Sequence, residues 1–487
     1  MLKRLFSHSL LYAIGPQLPS IITLFLLPIT TKYLTAFDYT VYGITIAYTS
    51  ALSAFKDLGL QLNLTNYFFK AQGNPVKWKL FWQKIFGILI VWSFPYSLMV
   101  FMILYFFVQK YIDTHFYYFI LLVILPILLF DSVNTLGVRY YQSKQKPQYL
   151  FIVAVITGAI GVFANYYLIV NLKFHYWSFF ITNFIIALVN FLFFLYPVFF
   201  KLKLYPVFKI KKNQMRNLLR VSLPMIPHKY SGYLLDASDR ILLDLYKINP
   251  QQIGQYNFAY TLGKYADAAG NAIGQAVGPM YYTLFAQRLE VSYKNARYFT
   301  FFLQVVFISF TFMACLWVKE IFNLITNNAE LAAAYPFAIV ILMGNSCMPM
   351  YWACMMRLGF EDKTKQFWRI SFAGGIINVI LNLLLIPYLG VMGSAIATFI
   401  GLLVVYFSGM YTSALKNVDK QKYYPHLWIL LIVLLGCTAF LLKDANILFK
   451  LVVNVFVFFS AAMYLYHNRY HFKFLLNNYK PKIVNYE

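Results

Sequence analysis

The chain has 487 residues, of which 61% are hydrophobic and only 12% charged, with a formal net charge of +25. No soluble domain carries so large an apolar share, and apolar runs of about 20 residues recur along the whole length, so the chain reads as a polytopic membrane protein. The placement of the basic residues, given below, accounts for the net charge without nucleic acid or any other acidic partner.

In chain order, fourteen spans are predicted at 10–33, 39–62, 85–108, 116–137, 149–170, 176–200, 221–245, 254–285, 298–318, 333–356, 370–386, 391–415, 427–442 and 447–466. Only helices fit, because backbone groups in lipid must be satisfied within their own segment. The first apolar run is too long for a cleaved signal and lacks a small-residue cleavage site, so it reads as a retained span. The fold class is therefore all-α integral membrane, with about fourteen transmembrane helices.

Lysine and arginine set the orientation. With the N-terminus inside, the cytoplasmic segments hold thirty basic residues and the external segments seven, which puts both termini in the cytoplasm. The longest internal connection, KLKLYPVFKIKKNQMRNLLR from Lys201 to Arg220, carries seven of the thirty. It reads either as an amphipathic helix on the anionic leaflet or as a topology determinant and linker. All connections are short, which leaves no room for a soluble catalytic domain.

The four cysteines (Cys315, Cys347, Cys354, Cys437) fall in apolar runs at spacings that match no metal site, and read as small core residues. His467 and His471 lie in a basic tail without a carboxylate nearby and read as solvated.

The chain also resembles itself. At an offset of 211, Pro16 matches Pro227, Ser20 matches Ser231, Leu24 matches Leu235, Leu34 matches Leu245 and Gly43 matches Gly254. Further on, at 217–218, Arg139 matches Arg357, and the pair Gly158 and Asn165 matches Gly375 and Asn382. Six spans separate the members of each pair, so the halves run the same way across the membrane, a parallel repeat of the kind that places substrate between its halves. The expected organisation is a six-helix bundle over 1–200, a basic linker at 201–220, a second six-helix bundle over 221–415, and two further helices with a tail over 416–487. Pro16 and Pro19 in the first span, and Pro224 and Pro227 in the seventh, are expected to interrupt equivalent helices, suited to rocking or to a static kink.

Charged residues inside spans are the candidates for function, since ionisable groups at such depth are costly. Span seven carries Asp236, Asp239, Arg240 and Asp244, and the spacing of four lets Arg240 pair with either Asp236 or Asp244. These read equally as a structural salt-bridge cluster or as coupling groups. In span eight Lys264 lies roughly 15 Å along the helix from Gly254, near the midplane, with Asp267 a turn further. In the repeat-related span two stand Lys56 and Asp57. Lys56 and Lys264 are expected to face a common cavity from opposite bundles, where they would meet a diffuse anion such as a pyrophosphate; the alternative is two local Lys–Asp pairs. Asp131, His228, Lys229 and Arg139 lie less deep, and positive-inside anchoring explains Arg139 and Arg357.

The run SDRILLDLY after a proline-broken helix, followed by IGQYNFAYTLG and later by INVILNLLLIPYLGVMGSAIAT, resembles polysaccharide-type (O-antigen or capsule) flippases of the multidrug/oligosaccharidyl-lipid/polysaccharide exporter superfamily. The resemblance implies a MATE-like fold of two bundles plus two C-terminal helices in the bacterial inner membrane. It also implies translocation of an undecaprenyl-pyrophosphate-linked oligosaccharide to the external leaflet, with a polysaccharide polymerase and a chain-length regulator as partners beside the bilayer itself. Lys56, Lys264 and Arg240 are this sequence's candidates for the substrate, and Asp57, Asp236, Asp239 and Asp267 for coupling or salt bridging. No cofactor or metal is implied; the drive would be the membrane potential, with or without proton or sodium coupling. Span one carries no arginine or lysine, unlike lipid II flippases of the superfamily, which lowers that alternative. A cation-coupled multidrug exporter of the same fold is the other alternative, and an enzyme such as a glycan polymerase would need a large loop or acidic motif that the sequence lacks.

Overall fold

The computed structural model describes residues 18–71, 74–112, 115–223, 225–363 and 365–470. The expectations placed on Pro16, Pro224 and His471, and on the side chain of His228, lie outside these described residues. Among the described residues every regular element is helical, and the chain is a multi-pass membrane protein, with nine helices long and apolar enough to cross a membrane.

The chain divides into two compact units, Met1–Phe258 with Leu324–Leu331, and Ala259–Asn323 with Ala332–Glu487. In the first unit the helices are α1 (Leu18–Thr30), α2 (Ala36–Ser53), α3 (Leu60–Lys70), α4 (Pro75–Tyr111), α5 (Phe116–Ser143), α6 (Pro147–Asn171), α7 (Trp177–Lys201), α8 (Lys212–Ser222), α9 (Met225–Asp236) and α10 (Ser238–Leu245). Helix α11 (Pro250–Ala286) carries the chain from the first unit into the second. The second holds α12 (Glu290–Leu316), α13 (Val318–Ile325), α14 (Tyr335–Phe360), α15 (Lys365–Leu389), α16 (Val391–Lys416), α17 (Pro425–Leu441) and α18 (Ile447–His467).

Local chemistry starts these helices where the sequence allows. Thr35 and Asp38 form a reciprocal cap on α2, in which the Asp38 carboxylate accepts from the Thr35 N–H at 2.7 Å. The other oxygen of Asp38 accepts from the Tyr176 N–H at 2.9 Å, so the same carboxylate ties the starts of α2 and α7 together. Proline occupies the first turn of α4, α6, α11 and α17, where its missing N–H costs nothing. Pro227 likewise falls in the first turn of α9 and does not interrupt a helix there.

Two predicted spans that carry intramembrane charges are broken. The second, expected as one helix over 39–62, is α2 and α3 separated by a non-helical turn at 54–59. The seventh, expected over 221–245, is α9 and α10 separated at Ala237, which adopts φ −144° and ψ −12°. Hydropathy, averaged over a window of about 20 residues, does not resolve interruptions this short. Each break stands beside intramembrane charges, Lys56 and Asp57 at one and Asp236, Asp239 and Arg240 at the other.

The basic connection after α7 does not lie free. Its Val207 N–H donates to the Gln83 carbonyl of α4 at 3.0 Å, and a Cβ on Gly87 would come within 2.3 Å of the Val207 carbonyl oxygen. Leu204 and Leu218 are buried in a core with Leu60, Trp82, Phe86 and Phe194. Asn63 of α3 donates to the Leu218 carbonyl at 3.3 Å, which fixes α8 on the bundle. The lysines and arginines of the segment, Lys209 and Lys212 among them, face outward.

The starts of α2 and α11 cross at close range. A Cβ on Gly254 would sit 1.7 Å from the Ala36 carbonyl oxygen, and one on Gly43 would collide with the Asn257 side chain. The Thr40 hydroxyl donates to the Pro250 carbonyl, and Asn257 donates to the Tyr39 carbonyl at 3.2 Å. Gly43 and Gly254 are one of the pairs at the 211-residue offset, so both ends of that pairing meet at one crossing.

In the second unit Arg357 is buried, not an anchor at the surface. It donates to the Val418 carbonyl at 2.6 Å, pairs with Glu361 at 3.2 Å and lies over the rings of Tyr293 and Phe285. Helices α15 and α16 are joined by a buried polar ladder in which Ser394 donates to Asn382 and Asn378 to Thr398. Lys450 of α18, wholly buried, grips both oxygens of Glu320 on α13 at 2.8 and 3.0 Å and donates to the Lys443 carbonyl at 2.7 Å. Nearby, Asp444 accepts from Lys319 at 2.6 Å and from Tyr335 at 2.9 Å. These ion pairs hold α17 and α18 to the unit.

Candidate functional site

The turn between α2 and α3 presents Lys56 and Asp57 from irregular backbone. Leu58 and Gly59 both take positive φ, 49° and 71°. A Cβ on Gly59 would stand 2.4 Å from the Ser222 carbonyl oxygen, so glycine is required twice over, for conformation and for space. The Asp57 carboxylate caps the turn by accepting from the Gly59 N–H at 3.0 Å, and the Phe55 carbonyl accepts from the Trp92 indole of α4 at 2.9 Å. Non-helical backbone at membrane depth persists where protein buries it or where it lines a cavity.

Here it lines a cavity of about 190 Å³ within the first unit. Lys56, Asp57, Gln61, Tyr96, Asp131 and Lys229 form its polar wall. The charges are crossed. Lys56 pairs with Asp131 of α5 at 2.5 Å, and Lys229 of α9 pairs with both oxygens of Asp57 at 2.7 and 2.9 Å. Gln61 accepts from the Arg139 guanidinium, which also donates to Gln142 at 3.0 Å. In place of a local pair of Lys56 with Asp57, the alternative the sequence allowed, two long-range pairs form, because the turn sends neighbouring side chains to different helices.

The pairs leave the cavity formally neutral, yet their cations stay reachable. The Lys56 side chain is 44% exposed and that of Lys229 is 35% exposed, against 8% for Asp57. Two ammonium groups in a water-accessible hollow, each resting on a carboxylate, can turn to a diffuse oxyanion; Asp131, 25% exposed, can then be hydrated, while buried Asp57 keeps the Gly59 N–H.

The span-seven charges do something else. Asp244, 2% exposed, accepts from Lys110 at 2.6 Å, Tyr111 at 2.5 Å and Tyr48 at 2.7 Å. Asp239, fully buried, accepts from Tyr256 and pairs with Arg240 at 3.2 Å. Arg240 also donates to Asn257 at 2.5 Å and to the Asp236 carbonyl. The spacing of four let Arg240 pair with Asp236 or Asp244; an ion pair forms with Asp239, which the spacing did not offer, and Asp244 pairs with Lys110. These bonds fasten α10 to α2, α4 and the start of α11.

In the second unit Lys264 is exposed on α11, with its ammonium 5.4 Å from the centre of the Tyr260 ring, and Asp267 accepts from Asn271 at 3.2 Å. Lys56 and Lys264 therefore belong to different units. Sequence reasoning set Asp131, Lys229 and Arg139 aside as shallow, and the structure brings all three to the cavity or its rim. The only signal in the sequence was their charge within or beside a span. Among the described residues no three His, Cys, Asp or Glu side chains gather as a metal site.

A family model described as polysaccharide biosynthesis protein matches residues 6–285. Among solved structures, the lipid II flippase MurJ in an inward closed conformation superposes with a TM-score of 0.62 at 13% identity, covering 92% of this chain and 99% of that one. An inward-facing multidrug resistance MATE family transporter of the MOP superfamily gives 0.55 at 13% identity, covering 87% and 99%. At such identities these structures show a shared fold. No curated protein matches the sequence.

Proposed function

The chain belongs to the polysaccharide biosynthesis protein family, and on that premise we propose that it is a flippase for an undecaprenyl-pyrophosphate-linked oligosaccharide. It carries the repeat unit of a surface polysaccharide, O-antigen or capsule, across the bacterial inner membrane by alternating access. The observation that carries this reading is the pair of reachable lysines, Lys56 and Lys229, presented to a membrane cavity by a broken helix.

A pyrophosphate offers several oxygens bearing about two negative charges, which suits two ammonium groups a short distance apart. In the empty state Asp131 and Asp57 hold those groups, so the cavity is stable without substrate. When the pyrophosphate arrives it competes with the carboxylates, and the difference in binding between the two occupants is what biases the conformational equilibrium. Moving about two negative charges outward across an inside-negative membrane gains roughly 4–5 kcal/mol per 100 mV, enough to bias transport without a cofactor.

Deleting the gene tests the proposal. The expected result is loss of a surface glycan and accumulation of its lipid-linked repeat unit on the cytoplasmic leaflet. Unchanged glycan together with new sensitivity to cationic dyes would instead favour the multidrug exporter reading.

A further inference from the structure

The charged cavity is one end of a longer cleft. It shares Ser53, Lys56, Tyr96, Ile127 and Asp131 with a second hollow of about 280 Å³, also inside the first unit. Past Lys56 and Asp131 the chemistry changes. The polar groups that line the second hollow are Thr45, Thr49, Ser50 and Asn183, and Phe180 and Phe184 supply ring surface beside Tyr96. No other charged side chain lines it. The Thr49 hydroxyl donates to the Thr45 carbonyl at 2.8 Å, which leaves its lone pairs toward any incoming donor. The hollow forms where α5 departs from regular helix: Pro126 opens a π-helical turn through Phe130, and Pro126 and Ile127 stand in the wall.

We propose that this neutral hollow is a binding subsite for the first sugar of the lipid-linked glycan, the one bonded to the pyrophosphate. The inference rests on the reading of Lys56 and Lys229 as the pyrophosphate site. Threonine hydroxyls whose lone pairs can accept and an amide that can donate and accept, set among aromatic faces and without net charge, suit a hydroxylated ring. The adjacency is the stronger argument. In a glycosyl pyrophosphate one bridging oxygen joins the sugar's anomeric carbon to phosphorus, so the site for that sugar must abut the site for the phosphate. The two hollows meet at Lys56. The first unit then selects substrate by its reducing-end sugar, through Thr49, Ser50 and Asn183, while the rest of the repeat unit lies beyond these contacts.

The test compares ligands on the purified full-length protein in nanodiscs, with intrinsic tryptophan fluorescence as the signal. The probes are undecaprenyl pyrophosphate and its derivatives carrying one glucose, galactose or N-acetylglucosamine. At least one glycosylated probe is expected to bind roughly ten-fold or more tighter than the bare lipid, as hydrogen-bonding sites discriminate against analogues that lack the group. In Asn183→Leu and in Thr49→Val that gap is expected to close to within about two-fold, and Asn183→Gln to restore part of it. Equal affinity of all four probes for the wild-type protein overturns the subsite, and needs no variant to fold. Lys56→Ala separates the two ideas. If it weakens every probe equally, the pyrophosphate site stands whatever the fate of the sugar site. If it weakens none, the pyrophosphate reading fails and the subsite with it.

Discussion

Lys229 and Asp57 are joined by two hydrogen bonds of 2.7 and 2.9 Å across a separation of 172 residues. Asp57 is 6% exposed and sits in the turn that breaks the second span, while Lys229 is on the first helix after the basic connection. The pair therefore latches α9 to the broken helix, and the two members are not equivalent. Replacing Lys229 with Ala strands a buried carboxylate, whereas replacing Asp57 with Ala leaves a lysine that water still reaches. We expect Lys229→Ala to cost about 1–3 kcal/mol, below the full value for a buried pair because the lysine is partly exposed. The charge-exchanged double variant with Asp57→Lys and Lys229→Asp should recover part of it. Thermal unfolding in detergent measures both.

Lys56 faces the same cavity with a less buried partner, so its loss should show in transport and not in folding. Lys56→Ala frees Asp131, which is 25% exposed and can be hydrated. Protein level and unfolding temperature should change little, while surface glycan falls at least roughly ten-fold, the scale of losing one charge-assisted contact to a phosphate. Lys56→Arg should retain most activity. Immunoblotting of the protein beside quantitation of the glycan checks this. Normal glycan at normal protein level in Lys56→Ala would sink the role given to this lysine.

Much of the fold was legible in the sequence because lipid leaves few options. Apolar runs had to be helices, and the bias of lysine and arginine had to reflect topology. The breaks at 54–59 and Ala237 were hidden because hydropathy is an average, and a turn flanked by Phe55 and Leu58 scores like a helix. The pairings were hidden for a different reason. Asp244 with Lys110 and Lys56 with Asp131 depend on which helices become neighbours, and helical spacing reports only partners three or four residues away. Spacing thus offered Arg240 two aspartates four residues away and was silent on adjacent Asp239, with which an ion pair forms.

The crossing of α2 with α11 makes a sharper claim about the repeat. Gly254 faces backbone, the Ala36 carbonyl, and a methyl there cannot be relieved by a side-chain rotation. Gly43 faces the Asn257 side chain, which can swing away, though only by giving up its bonds to Arg240 and to the Tyr39 carbonyl. Gly254→Ala should therefore be the more damaging, by about 1–3 kcal/mol or with loss of folded yield, as expected when packed backbones are forced apart. Gly43→Ala should be milder, and Gly43→Ala combined with Asn257→Ala should recover space while losing the Arg240 contact. Size-exclusion profiles and unfolding temperatures of the three variants decide the order.

Lys450 and Glu320 invite a comparison of the opposite kind, since here the cation is the buried partner. Lys450 has no exposed side-chain surface, while the Glu320 side chain is 34% exposed. Glu320→Ala leaves an ammonium group enclosed beside Trp317 with only the Lys443 carbonyl to meet it, and should cost about 3 kcal/mol. Lys450→Met removes the buried charge, fills similar volume and leaves a glutamate that can turn to water, so it should cost under about 1 kcal/mol. If the last two helices are held chiefly by this ion pair, Glu320→Ala should also loosen α18 from the second unit. That loosening would appear as faster amide exchange across Ile447–His467, with the first unit unchanged. Equal effects of the two substitutions would mean that apolar packing of α18, and not the ion pair, keeps it in place.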